Sequence, residues 1–101
     1  MNVDDVGYGQ YVLYQWQDKA YYVGTVTDIN TAIEVSLMKR YAARDNKVHF
    51  IWPRQPHIVV IDDFKESECL KTMPLPLLDR RGTTAIFSLH SFGAVQSCDI
   101  Y

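Results

Sequence analysis

Residues 9–16 read GQYVLYQW and residues 20–26 read AYYVGTV, and these two segments decide the fold. Both are rich in Val, Tyr and other residues typical of β-strands. The polar residues Gln17-Asp18-Lys19 separate them, which predicts a β-hairpin with aromatic side chains close to its turn. Six aromatic residues fall between Tyr8 and Tyr22. The hairpin is therefore also the first candidate for a binding site, since clustered rings can hold a cation or a peptide.

The strand pattern repeats along the rest of the chain. We predict strands over residues 9–16, 20–29, 33–41, 47–52, 58–64 and 83–89, with turn residues at 28–31, 44–46 and 53–56. One helical turn is expected over residues 64–71, because Asp63 can cap it and Glu66 follows at capping-box spacing. The fold class predicted is all-β, a small barrel of five to six antiparallel strands with one short helical turn.

The length and composition of the chain indicate one domain. A chain of 101 residues with 48% hydrophobic and 22% charged composition is typical of a globular domain. We assign residues 1–89 to a single barrel and residues 90–101 to a C-terminal tail that is either loose or docked. The net charge of −2 predicts no attraction of the whole protein to nucleic acid or to a membrane. Two cysteines and the lack of a signal-peptide pattern favour an intracellular, reducing compartment.

The opening hairpin resembles the SH3-like barrels of the Tudor, PWWP and chromo-barrel group. Residues 9–16 are similar to the first Tudor strand, and Tyr22-Val23-Gly24-Thr25-Val26 is similar to the second. Ser67-Glu68-Cys69-Leu70 resembles the helical turn that closes that barrel. The resemblance covers residues 8–72 and implies a Tudor-like, SH3-like barrel.

The resemblance also implies a function, which is non-catalytic recognition of a protein peptide. In methyl-reading members of the group, aromatic residues form a cage around a methylated Lys or Arg. By position, Trp16 and Tyr22 match two walls of such a cage, and Asp18 is one candidate polar partner. Met38, Tyr41 and Phe50 are the candidates for the remaining walls, and Asn46 is the other candidate polar partner. The implied setting is chromatin or ribonucleoprotein assembly in the nucleus.

Other interpretations stay open. The same rings can cover the end of the barrel or pair across strands, with Val12 and Tyr14 in the core and Trp16 at its rim. A nucleic-acid-binding barrel is the second hypothesis, because basic and aromatic residues alternate between positions 39 and 54. Its candidate residues are Lys39, Arg40, Arg44, Lys47 and Arg54. A protein–protein adaptor or homodimer that uses a strand edge or the tail is the third.

No enzyme, metal or cofactor is predicted. The acidic stretch of Asp62, Asp63, Glu66 and Glu68 is interpreted as a helix cap with exposed charge. The histidines and cysteines lack the Cys-x-x-Cys or His-x-x-x-His spacing of zinc ligands. The longest purely apolar stretch, Ile58 to Ile61, is far too short to span a membrane.

Overall fold

The computed structural model describes residues 7–15, 20–29, 32–61 and 70–101. Within these ranges the strands are β1 (Tyr11–Gln15), β2 (Tyr21–Asp28), β3 (Ile33–Leu37), β4 (Lys39–Arg44), β5 (Lys47–Ile51), β6 (His57–Ile61), β7 (Leu70–Thr72), β8 (Leu77–Leu78) and β9 (Thr84–Ser88). Two short 3-10 helices follow, η1 (Leu89–Phe92) and η2 (Ser97–Asp99). Among the described residues, no helix is long and apolar enough to cross a membrane.

The strands form two antiparallel sheets, which confirms the all-β prediction. The first sheet has five strands in the order β6-β3-β2-β1-β7, and the second has four in the order β4-β5-β9-β8. In the first sheet the chain runs back and forth through β1, β2 and β3, and β7 returns to pair with β1. Most of the predicted helical turn lies outside the described residues. Its last two residues, Leu70 and Lys71, are extended, because they pair with Tyr14 and Leu13 of β1.

The prediction of one strand over residues 33–41 is wrong, because the chain changes sheets at Met38. Ile33, Val35 and Leu37 alternate as buried residues, but Met38 is buried as well. Leu37 and Met38 belong to two different apolar clusters, so the chain passes from one cluster to the other at this point. The Met38 N–H donates to the Val23 carbonyl at 2.7 Å, after which the chain enters the second sheet as β4.

The five-stranded sheet carries an apolar cluster on one face. Every strand of this sheet contributes to that cluster, including the two edge strands β6 and β7. We call it the concave cluster, and its buried members are Val12, Val26, Ile33, Val35, Leu37, Val59, Ile61 and Leu70. The cluster therefore extends across the whole width of the sheet, from one edge strand to the other.

A second apolar cluster lies between the two sheets. We call it the inter-sheet cluster, and its buried members are Leu13, Val23, Met38, Val48, Phe50, Met73, Ala85, Phe87, Phe92 and Ile100. The rings of Tyr11 and Phe87 meet edge-on across it, with centroids 5.7 Å apart. The first hairpin is thus buried on both faces, with Val12 and Tyr14 on one side and Tyr11 and Leu13 on the other.

The segment after β9 packs back against the first sheet. Ile100 is fully buried at 0% exposure and forms a parallel bridge with Tyr21. The Tyr101 N–H donates to the Tyr21 carbonyl at 2.8 Å. The carbonyls of Tyr21 and Val23 lie on the same edge of β2, because they are two residues apart in a strand. The Val23 carbonyl is the one that accepts the Met38 N–H. The tail therefore occupies the place beside β2 that β3 leaves when the chain changes sheets.

Candidate functional site: an aromatic pocket beside Tyr22

Tyr22 lies near the start of β2, opposite Tyr14 of β1. Its ring is half-buried and packs against the concave cluster. Gly24 lies on the same face and allows β3 to approach closely: a Cβ atom there would lie 2.5 Å from the Ser36 carbonyl oxygen and 2.8 Å from Val35 Cγ1. This close approach sets the end of β3 beside Tyr22.

Two further rings meet Tyr22. Tyr101 stacks on it, with centroids 5.8 Å apart and an interplanar angle of 29°. His57 meets it edge-on, with centroids 6.4 Å apart and an angle of 77°. These distances are typical of favourable aromatic pairs. His57 is held by β6, where it pairs with Leu37, and Tyr101 is held by the buried Ile100 next to it.

These rings border a surface pocket of about 190 Å³. Its lining residues are Tyr22, Leu37, Met38, Lys39, Pro53, His57 and Tyr101. Drug-sized ligands occupy pockets of roughly 300–1,000 Å³, so this one fits a single side chain. We call it the Tyr22 pocket.

The charges in the Tyr22 pocket are not those of a fully formed cation cage. Its charged or titratable lining residues are Lys39, His57 and the two tyrosines, and no Asp or Glu lines it within the described part of the chain. Attraction to a cation must therefore come from the faces of the rings, whose π-systems carry negative potential.

The structure brings some predicted cage residues to the Tyr22 pocket and places others elsewhere. Met38 lines it beside Tyr22, whereas Trp16 and Asp18 lie outside the described residues. Phe50 is fully buried at 0% exposure in the inter-sheet cluster, where its ring packs edge-on against Phe87. It is therefore a core residue and has no surface to offer a ligand.

Tyr41 and Asn46 do not line the Tyr22 pocket either. Tyr41 is 68% exposed and is the extra residue of a bulge between Arg40 and Ala42. Asn46 lies in the turn at the far end of the β4–β5 hairpin, with a φ of 61°. A six-residue strand separates the two ends, which corresponds to roughly 17 Å. Asn46 therefore acts as a turn residue here.

Sequence reasoning missed His57 and Tyr101 as pocket residues. Neither belongs to the aromatic run of the first hairpin, and each reaches Tyr22 only through long-range pairing. The one local feature that pointed to Tyr101 is that this aromatic residue directly follows the apolar Ile100, in a segment without periodicity.

The basic residues of the nucleic-acid hypothesis do not form one cluster. Lys39 and Arg54 lie near the base of the β4–β5 hairpin, whereas Arg44 and Lys47 face each other at its tip. Arg40 lies opposite the buried Phe50 and is half-buried.

Among the carboxylates of the described residues, Asp79 has a perturbed pKa, and its role is local. Burial raises the pKa of Asp79, but hydrogen bonds from Thr83 and Thr84 outweigh this and hold that pKa below its usual value. The Thr83 N–H donates to Oδ1 at 2.8 Å and the Thr83 hydroxyl to Oδ2 at 3.1 Å. Asp79 therefore fixes the β8–β9 turn. Among the described residues, no group of three or more His, Cys, Asp or Glu side chains is arranged to hold a metal ion.

Comparison with known proteins gives no match: no family model, no curated protein and no solved structure is similar enough to this chain to be identified as a relative.

Proposed function

We propose that the protein is a non-catalytic recognition module, and that it binds a side chain of a protein peptide in the Tyr22 pocket. The observation that carries this proposal is the convergence of Tyr22, His57 and Tyr101 on one small concave surface. Rings in contact with each other normally bury their faces against a core, but Tyr101 is 54% exposed. A partly exposed ring cluster around a cavity is suited to binding.

We also propose that the five-stranded sheet is an SH3-like, Tudor-like barrel. Two features support this proposal. The strands run in sequence through β1, β2, β3 and β6, and the fifth, β7, returns to β1. The concave cluster joins both edge strands, as expected for a sheet curled into a small barrel. The β4–β5 hairpin is then an insertion between the third and fourth barrel strands, and it pairs with β9 in the second sheet.

The proposed ligand side chain is a methylated Lys or Arg. A methylammonium group over a ring gains about 0.5–2 kcal/mol per contact, so contacts with several rings give useful binding. A methylated cation is also more weakly hydrated than an ammonium, which suits a pocket that is lined by rings and, within the described residues, by no Asp or Glu. With such a ligand, the setting we propose is chromatin or ribonucleoprotein assembly in the nucleus.

The experiment is an NMR titration of the labelled protein with Lys and Arg peptides, each in unmodified and methylated forms. We expect the shifts to concentrate at Tyr22, Leu37, His57 and Tyr101 and to be largest with a methylated peptide. Tyr101→Ala should weaken binding about tenfold, which corresponds to the loss of about 1.4 kcal/mol.

Tyr41→Ala is the matched control, because Tyr41 is an exposed tyrosine that does not line the pocket. It should leave peptide affinity unchanged. Equal losses from Tyr101→Ala and Tyr41→Ala, or no peptide-dependent shift near Tyr22, would contradict the proposal.

A further inference from the structure

A second concave surface lies at the other end of the β4–β5 hairpin, between its tip and η1. It consists of two adjoining cavities of about 180 Å³ and about 380 Å³, and Asn46 and Leu89 line both of them. The first is also lined by Arg44 and Lys47, and the second by His90. We call this surface the tip pocket.

The tip pocket is basic. Arg44 and Lys47 are directly opposite each other across the hairpin, an arrangement that destabilises a strand pair when nothing neutralises the charges. Within the described ranges, no carboxylate lines either cavity. Asp45 lies in the turn itself, is exposed, and is not among the lining residues. Two cations and a histidine therefore surround a concavity whose described walls contain no anion.

The backbone around the tip pocket is held in place before any ligand arrives. The Leu89 N–H donates to the Asn46 carbonyl at 2.8 Å, which joins the hairpin tip to η1. The Ser88 hydroxyl accepts the His90 N–H at 3.3 Å, and the Gly93 N–H closes on the His90 carbonyl at 3.2 Å. Phe92 anchors η1 in the inter-sheet cluster. These hydrogen bonds fix the backbone that carries the lining side chains, so little backbone entropy is lost on binding. The N–H groups are themselves already used, so a ligand is bound by side chains.

We propose that the tip pocket is a binding site for a single phosphate group. Arg44 supplies the planar guanidinium fork that matches a phosphate with two parallel hydrogen bonds, and Lys47, His90 and the Asn46 amide supply further donors. A compact anion fits better than an extended nucleic-acid backbone, because Lys39 and Arg54 lie at the other end of the hairpin. The site is independent of the function proposed for the Tyr22 pocket.

The experiment is an NMR titration with three probes at constant ionic strength: inorganic phosphate, a peptide whose one charged group is a phosphoserine, and a short single-stranded oligonucleotide. Sodium chloride at the same ionic strength is the reference. We expect saturable shifts at the amides of Lys47, Leu89 and His90 with both phosphate probes. If the phosphopeptide binds more tightly than inorganic phosphate, the ligand is a phosphate group on a peptide. If it binds equally or more weakly, the ligand is free phosphate.

The variants Arg44→Gln and Lys47→Gln should each weaken phosphate binding about tenfold, because each removes a charge-assisted hydrogen bond. Both side chains are exposed, so the amide spectrum should remain that of the folded protein. Arg54→Gln removes the same charge outside the tip pocket and should change the affinity less than twofold.

Two results would overturn the proposal. One is an absence of saturable phosphate shifts at the tip pocket beyond those caused by chloride. The other is oligonucleotide binding that Arg54→Gln weakens as much as Arg44→Gln does, because that would show an extended phosphate backbone lying along the whole hairpin.

Discussion

Replacement of Ile100 by Ala tests whether the C-terminal tail completes both the core and the Tyr22 pocket. Ile100 is fully buried in the inter-sheet cluster, and truncation of a fully buried Ile to Ala costs about 2–5 kcal/mol. The lower part of this range is expected, because Ile100 is joined to β2 by an isolated bridge rather than by a continuous strand, so its segment can shift to fill part of the cavity. For a domain of this size, each kcal/mol lowers the Tm by about 4–8 °C.

The same substitution should also affect binding, because Ile100 holds Tyr101 against Tyr22. We expect Ile100→Ala to lower the denaturant midpoint without changing its slope, to speed amide exchange at Tyr101, and to weaken peptide binding as much as Tyr101→Ala does. Leu75→Ala is the matched control, since Leu75 is 90% exposed and its truncation should cost less than about 0.5 kcal/mol.

A measured loss below about 0.5 kcal/mol for Ile100→Ala, with unchanged exchange at the Tyr101 amide, would refute this reasoning. It would mean that the tail is not part of the folded core, and that Tyr101 cannot serve as a wall of the pocket.

Three further predictions test separate parts of the fold. Gly24→Ala should destabilise the protein by about 1–3 kcal/mol in chemical denaturation, because its Cβ would lie 2.5 Å from a backbone oxygen that cannot move away. Phe50→Ala should cost about 3–5 kcal/mol of unfolding free energy by the same assay, whereas a loss under 1 kcal/mol would show that Phe50 is not a core residue. The pKa of Asp79 is lowered in the folded state, so its contribution to stability should be fully present above the unfolded pKa of about 3.9 and lost as pH falls through the folded value. The stability difference between the wild type and Asp79→Ala should therefore shrink below about pH 4, and a difference that is constant from pH 7 to pH 3 would show that Asp79 does not act through its charge.

Local sequence patterns predict most of the strands. Richness in Val, Ile, Thr, Tyr and Phe locates β1, β2, β5, β6 and β9 to within a few residues, because β-branched and aromatic side chains pack well on a pleated surface. The turn between β4 and β5 is equally readable, since Asp45 and Asn46 both adopt positive φ, a conformation that Asn and Asp tolerate well.

Two elements could not be predicted from local pattern. β8 has only Leu77 and Leu78, both exposed, and it exists because they pair with Ile86 and Ala85 of β9. β7 has only three residues and is held by β1. Such strands carry no periodicity of their own, so their stability depends on a partner far along the chain.

The sequence by itself determined that this chain is all-β and that its first hairpin is aromatic, since both follow from residue type and spacing. Tyr22 became a candidate binding residue through the resemblance of that hairpin to Tudor-like barrels. The tertiary structure alone decided that β3 and β4 belong to different sheets, that Phe50 is core, and that His57 and Tyr101 are the rings that meet Tyr22. The physical reason is that strand propensity and side-chain parity are local properties. Which faces meet depends on pairing and burial between distant segments, and no residue carries that information alone.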